Sequence, residues 1–404
     1  MPRLLLRDLA QVATPAATGA LARGAELRAV AVVDDAYVLC DGEMVSAVGR
    51  MRDLAPLEGD VDELDCSGLC AIPGLVDCHT HPAFGGDRVA EFSLRAGGAS
   101  YEELHAAGGG ILSTVRATRS LAAGELEARV RRHADWMLAH GTTTWEGKSG
   151  YGLDRETELA SLRAVRAAGG SPTWLGAHSV PPEHADADAY LDFLLADVLP
   201  AAAELADAAD VFLERGAFDA AQARRYLEAC RAAGLALRLH GDQFTESGAI
   251  ALAAELGARS VDHLEATGDE GVRALAASEV AAVLLPASAL FLDRPMPPAR
   301  ALADAGAIVA LATDFNPGSA FTTSLPLVAS LACTQLHLAP EEALVAMTLN
   351  AAHVLGATAA GRVAPGSAAD LTLLRAPDWR YLAYHLAGDV VDTVIRRGSI
   401  AFRR

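Results

Sequence analysis

The stretch PGLVDCHTHPAFGGDR, residues 73–88, begins as a buried strand and ends in residues no strand core would choose. Residues 72–76 are apolar, and Asp77, Cys78, His79, Thr80 and His81 follow at once. In a strand, residues i and i+2 project to the same face. His79 and His81 are therefore expected side by side, and two neutral imidazoles make half of a site for a divalent cation. An H-x-H pair alone is a weak signal. Its weight depends on what the rest of the chain delivers to the same place.

Working outward, the same cadence recurs. Short apolar runs end in polar, chemistry-bearing residues: CAIPGLVDCHTH, TTTWEGKSG, PTWLGAHS, ADVFLERG, LALRLHGD, RSVDHL, VAAVLLPAS and IVALATDF. Between them lie segments such as ETELASLRAVRAAGG and AAQARRYLEACRAAGL, whose apolar residues follow the helical period and which close on glycine. Eight strand–helix units in one direction predict an α/β fold, a (β/α)8 TIM-like barrel over residues 67–360. Residues 1–66 and 361–404 read as β-type runs broken at turn residues, and are expected to pair into one small β-sandwich-like domain. Residues 82–140 are expected to form a long helical elaboration between the first two barrel strands. Its HAAGGGILSTVRATRS suits either a flexible turn before a helix or a backbone that approaches a ligand closely.

Active sites of such barrels lie at the C-terminal strand ends. Those ends carry His79, His81, Lys148, His178, Glu214, His240, His263 and Asp314. Strands one and eight adjoin on a closed barrel and strand five reaches in from across. His79, His81, His240 and Asp314 can then surround one metal ion and leave a position for water. Metal lowers the pKa of a bound water toward neutrality. Asp314 can hold that water and move its proton. His263 is placed to polarise the oxygen under attack or to donate a proton.

Composition removes several other classes. The 404 residues carry 33 Lys and Arg against 52 Asp and Glu, a net charge of −19. No basic run suggests nucleic acid as a partner. Hydrophobic residues make up 51%, enough for a large core. No run of 18 or more apolar residues suggests a membrane span, and the N-terminus shows no signal-peptide pattern. The six cysteines have no zinc-knuckle spacing and read as reduced thiols of a cytoplasmic protein.

The strings DCHTHPAFGGDRVAEF, SYEELHAAGGGILSTVRATR, KSGYGLD, GAHSVPPE, HGDQF, ELGARSVDHL, LATDFNPGS and LACTQLHLAPEEAL, long and in order, resemble the amidohydrolase superfamily and, within it, the imidazolonepropionase family. The resemblance implies a zinc or iron hydrolase of histidine degradation. Such an enzyme opens the ring amide of 4-imidazolone-5-propanoate to N-formimino-L-glutamate. It implies His79, His81, His240 and Asp314 as metal ligands, with Arg88, Tyr151, His178, Gln243, Asn316, Gly318 and Ser319 lining the substrate site. An arginine fork and hydroxyl donors suit a substrate with a carboxylate tail. A homodimer is also implied.

Three positions depart from the family's pattern: Gly147, Leu213 and Gln243, the last being Glu in some members. Proton transfer is accordingly assigned to Asp314 and His263, and only hydrogen bonding to Gln243. Glu214, on strand four, is a candidate bridge between two metals, although one metal is expected. Two rival readings are a related deaminase of a purine, pyrimidine or formimino compound, and a non-catalytic binding barrel.

Overall fold

The structure, a computed structural model, describes residues 3–98 and 109–404. Residues 105–108 of the glycine-rich segment lie outside the described residues.

Eight parallel strands form the central sheet, in chain order around the barrel. They are β6 (Leu75–Asp77), β7 (Thr142–Lys148), β8 (Ser171–Ala177), β9 (Ala208–Leu213), β10 (Ala236–Gly241), β11 (Ser260–His263), β12 (Ala281–Leu284) and β13 (Ile308–Leu311). All eight coincide with the apolar runs of the sequence. Helices Arg155–Ala167 and Ala220–Ala232 fall where the helical period predicts them. Asp154 caps the first by accepting from Thr157 N at 2.8 Å, and Asp219 with Gln222 closes a capping box on the second. Helices Ile111–Arg119 and Glu125–Ala139 lie between β6 and β7.

The barrel closes past the ends of its first and last strands. Asp314 N donates to His79 O at 3.1 Å, and His81 N to Phe315 O at 2.8 Å. Just below, the Asp77 carboxylate accepts from Thr313 N at 3.1 Å and Thr313 Oγ1 at 2.6 Å. The backbone that shuts the seam thus belongs to the residues expected to bind metal.

The terminal segments meet in one mixed sheet curled around its own apolar cluster, which includes Leu6, Val38, Cys40, Ala71, Leu373 and Ile395. Its central strands are β1 (Arg3–Pro15), β5 (Cys70–Pro73) and β14 (Leu371–Leu374). Here the run CAIPGLVD differs from its reading as one barrel strand. Cys70–Pro73 pairs with Leu371–Leu374 in the terminal sheet, and the barrel begins only at Leu75. The break falls at Gly74, where a Cβ would lie 2.2 Å from Thr143 Oγ1. Only a residue without a side chain lets β6 turn so close to β7.

Candidate active site

The segment after β6, the C-terminal ends of β10 and β11 and the segment after β13 bring three ligand-bearing histidines, His263 and Asp314 together. His79 Nε2 lies 3.2 Å from His81 Nε2, which lies 3.3 Å from His240 Nε2. Asp314 Oδ1 lies 3.4 Å from His79 Nε2 and 3.5 Å from His81 Nε2. Two overlapping ligand triads result, His79–His81–Asp314 and His79–His240–His263, all buried. Donors about 2.05 Å from a tetrahedral ion would stand about 3.3 Å apart, the spacing expected around zinc.

The far ring nitrogens fit the same purpose. His79 Nδ1 is 2.6 Å from Asp262 Oδ2, and His240 Nδ1 is 3.1 Å from Asp210 Oδ1. Carboxylates there hold each proton on Nδ1 and turn an Nε2 lone pair into the cage. Lone pairs facing one another at such distances repel unless a cation stands between them, so the donor set fits a metal ion. Burial also pushes His79 and His81 well below their usual pKa, leaving the neutral form that binds metal.

Beneath the cage lies a charged layer that the sequence reading missed. Lys148 Nζ sits 2.7 Å from Asp210 and 2.9 Å from Glu146, and Arg238 pairs with Glu146. All four side chains are buried. A signal was available: Glu146 and Lys148, like Arg238 and His240, are two apart on one strand, so each pair shares the inward face. Asp262, directly before His263, gave no such signal. Strand alternation sends neighbours to opposite faces. His263 escapes it with φ +86°, a left-handed conformation rare for a residue with a side chain.

His263 Nδ1 is 3.4 Å from Glu265 Oε1. Burial pulls the His263 pKa down, but Glu265, Asp314 and Asp262 together carry it above its ordinary value. Burial raises the Asp314 carboxyl, against the pull of His263 and His240. Each of the two proton-transfer candidates thus feels the charge of the other.

The remaining expected residues form the wall above. His178 stacks on His81 with ring centres 5.6 Å apart, and Tyr151 packs 5.5 Å from His178. His178 Nδ1 meets Gly150 O at 3.0 Å. Burial, with His240 nearby, lowers the His178 pKa to about 3, so the ring is neutral. After β13, Asn316 Oδ1 accepts from Gly318 N and Ser319 N, and Ser319 Oγ donates to Asp314 Oδ2 at 3.2 Å. Arg88 reaches the same loop: a Cβ on Gly318 would lie 2.2 Å from its Nη1. Gln243 is buried in the loop after β10.

The Glu214 side chain is committed to backbone contacts. Its carboxylate accepts from Arg215 N and Phe244 N at 2.8 Å and from Thr245 N at 3.2 Å, and so ties down the loop after β10. It belongs to neither ligand triad. The departure at Gly147 also has a cause, since a Cβ there would lie 2.6 Å from Val165 on the covering helix. A surface concavity of about 1050 Å³ lies away from this site, beside the N-terminal ends of β11 and β12.

Fold and site define a metal-dependent hydrolase of the amidohydrolase type, and the amidohydrolase family model matches residues 70–401. Solved structures of the same fold include N-isopropylammelide isopropylaminohydrolase from Burkholderia multivorans, 22% identical with a TM-score of 0.70 over 100% of this chain and 99% of that one. Another is an adenosine deaminase from Xanthomonas campestris with bound zinc, 19% identical with a TM-score of 0.71 over 99% and 93%. Curated relatives are nearer. An imidazolonepropionase of Rubrobacter xylanophilus is 59% identical over 98% of both chains, and one of Chloroflexus aggregans 45% over 98% of both. The chain belongs to the imidazolonepropionase family.

Proposed function

We propose that this chain hydrolyses the ring amide C–N bond of 4-imidazolone-5-propanoate to give N-formimino-L-glutamate, using a single zinc or iron ion. The observation that carries the reading is one loop. It joins Asp314, which closes the ligand cage, to Gly318, over which Arg88 lies. A proton acceptor on this segment and an arginine fork resting on it suit a substrate whose reacting carbonyl and propionate are joined by a short ring.

His79, His81, His240 and Asp314 would hold the metal, which when bound supplies Lewis-acid polarisation and a water acidified toward neutrality. Arg88, with the Asn316–Ser319 loop, anchors the propionate and fixes the ring over the cage. Tyr151, His178 and Gln243 meet the ring's polar edge. Asp314 takes a proton from the attacking water and returns it to the ring nitrogen as the C–N bond breaks. His263, biased toward its protonated form by Glu265, donates a hydrogen bond to the carbonyl oxygen as it gains charge. Phe84, Tyr151 and Phe315 pack into one buried aromatic cluster, with Tyr151 beside His81. Cytoplasmic residence agrees with six unpaired cysteines.

The test is product identity. The protein is given freshly generated 4-imidazolone-5-propanoate, and the product's mass is measured. Gain of one water with release of formiminoglutamate supports the reading. No reaction on the imidazolone, with ammonia released from an aminated purine or pyrimidine instead, would replace it with a deaminase.

A further inference from the structure

Arg88 stands with one edge of its guanidinium already occupied. Nε donates to Glu91 Oε2 at 2.9 Å, and Nη2 donates to Glu91 Oε1. Glu91 Oε2 also accepts the N–H of Gly110 at 2.8 Å, the residue that opens helix Ile111–Arg119. Burial raises the Glu91 carboxyl, but Arg88 and the Gly110 N–H hold it below its usual value, so it stays ionised. The third nitrogen, Nη1, lies in the space that a side chain on Gly318 would fill.

An ordinary i,i+3 ion pair on a helix is solvated and weak. This one differs in three ways. The side chains of Arg88 and Glu91 are only 16% and 13% exposed. The contact takes the side-on edge of the fork with both carboxylate oxygens. The same carboxylate also fastens a second segment, 19 residues along the chain. Helix stability needs none of these. A cation that must present one edge to an anion does need its other edge fixed, because a free arginine loses much rotamer entropy on binding.

We propose that Glu91 is a positioning residue for substrate recognition. It grips the Nε–Nη2 edge of Arg88 and tethers it to Gly110, leaving Nη1 over Gly318 to meet the substrate's carboxylate. The inference rests on the proposed reaction only in taking Arg88 as the carboxylate anchor. It assigns to Glu91 the pre-organisation of that anchor. The Arg88–Glu91 pair is nearly neutral as a unit, so recognition comes from geometry more than from net charge.

The experiment compares the wild type, E91Q, R88A and the double variant. Kinetics on the imidazolone are measured together with competitive binding of two imidazoles, one bearing a propionate chain and one an ethyl chain. E91Q is expected to raise KM roughly tenfold with kcat within about threefold. It is expected to weaken the propionate imidazole alike and to leave the ethyl imidazole unchanged. In the R88A background E91Q should add nothing, because a residue acting through Arg88 has no effect without it. Equal weakening of both imidazoles, or full additivity with R88A, would make Glu91 a structural element and overturn the inference. Because the two imidazoles are bound rather than turned over, their ratio remains readable even if the imidazolone proves not to be the substrate.

Discussion

Asp314 sits at the point where cage, seam and substrate loop meet. Its backbone N–H closes the barrel on His79 O, its carboxylate faces two imidazoles, and its φ of +55° lies in the left-handed region. Asp tolerates that region better than most residues, and Asn tolerates it equally well. Asp314→Asn should therefore keep the fold. It removes the proton acceptor, and turnover should fall by roughly 10³-fold or more. Unchanged thermal melting with lost turnover is the expected pair of results, and a fully active variant would remove Asp314 from the mechanism. Histidines outside the cage bear on stability instead. His133, whose Nδ1 meets Pro82 O at 2.8 Å, has its pKa lowered by burial from 6.5 to about 4. The folded state holds it neutral while the unfolded chain binds a proton below 6.5, so its contribution is complete above that pH and is lost as pH falls toward 4. Melting temperature should decline between pH 7 and 4.5, and less steeply in His133→Asn than in the wild type.

Strands were easier to read than their interruptions. Eight apolar runs mark β6 to β13 because each is buried on both faces by helices outside and side chains within. The break at Gly74 was not legible, since PGLVD reads as continuous strand until Thr143 is known to press against it. Gly74→Ala should destabilise the protein by about 1–3 kcal/mol, the usual cost of forcing atoms into a packed interior. Thr143→Ala should recover part of that loss, because two of the three atoms nearest the new Cβ are then gone. Chemical denaturation of the three proteins measures this. No recovery would place the strain elsewhere. The site divides in the same way. His79, His81, His240, His263 and Asp314 were legible because strand ends of a barrel converge. The cage's supporting carboxylates Asp210 and Asp262 were not, because nothing along the chain says which acidic residue will face which imidazole.

At the scale of the whole molecule, the terminal sheet and the barrel are fastened together near the N-terminal ends of the first strands. Gly74 N donates to Asp370 O at 2.8 Å, and Thr372 Oγ1 to Gly141 O at 2.7 Å. The ligand cage closes the opposite end of the same strands, through the seam of His79, His81, Asp314 and Phe315. No helix among the described residues is long and apolar enough to cross a membrane. The net charge of −19 gives the molecule an acidic balance overall. The central claim is that one metal ion, held by three histidines and one aspartate, makes this barrel a ring-opening hydrolase. The most direct measurement is a titration of chelator-stripped protein with zinc, following turnover of 4-imidazolone-5-propanoate and bound metal together. Activity should rise linearly and stop at one ion per chain, with circular dichroism unchanged throughout. Full activity without metal, or a requirement for two ions per chain, would contradict it.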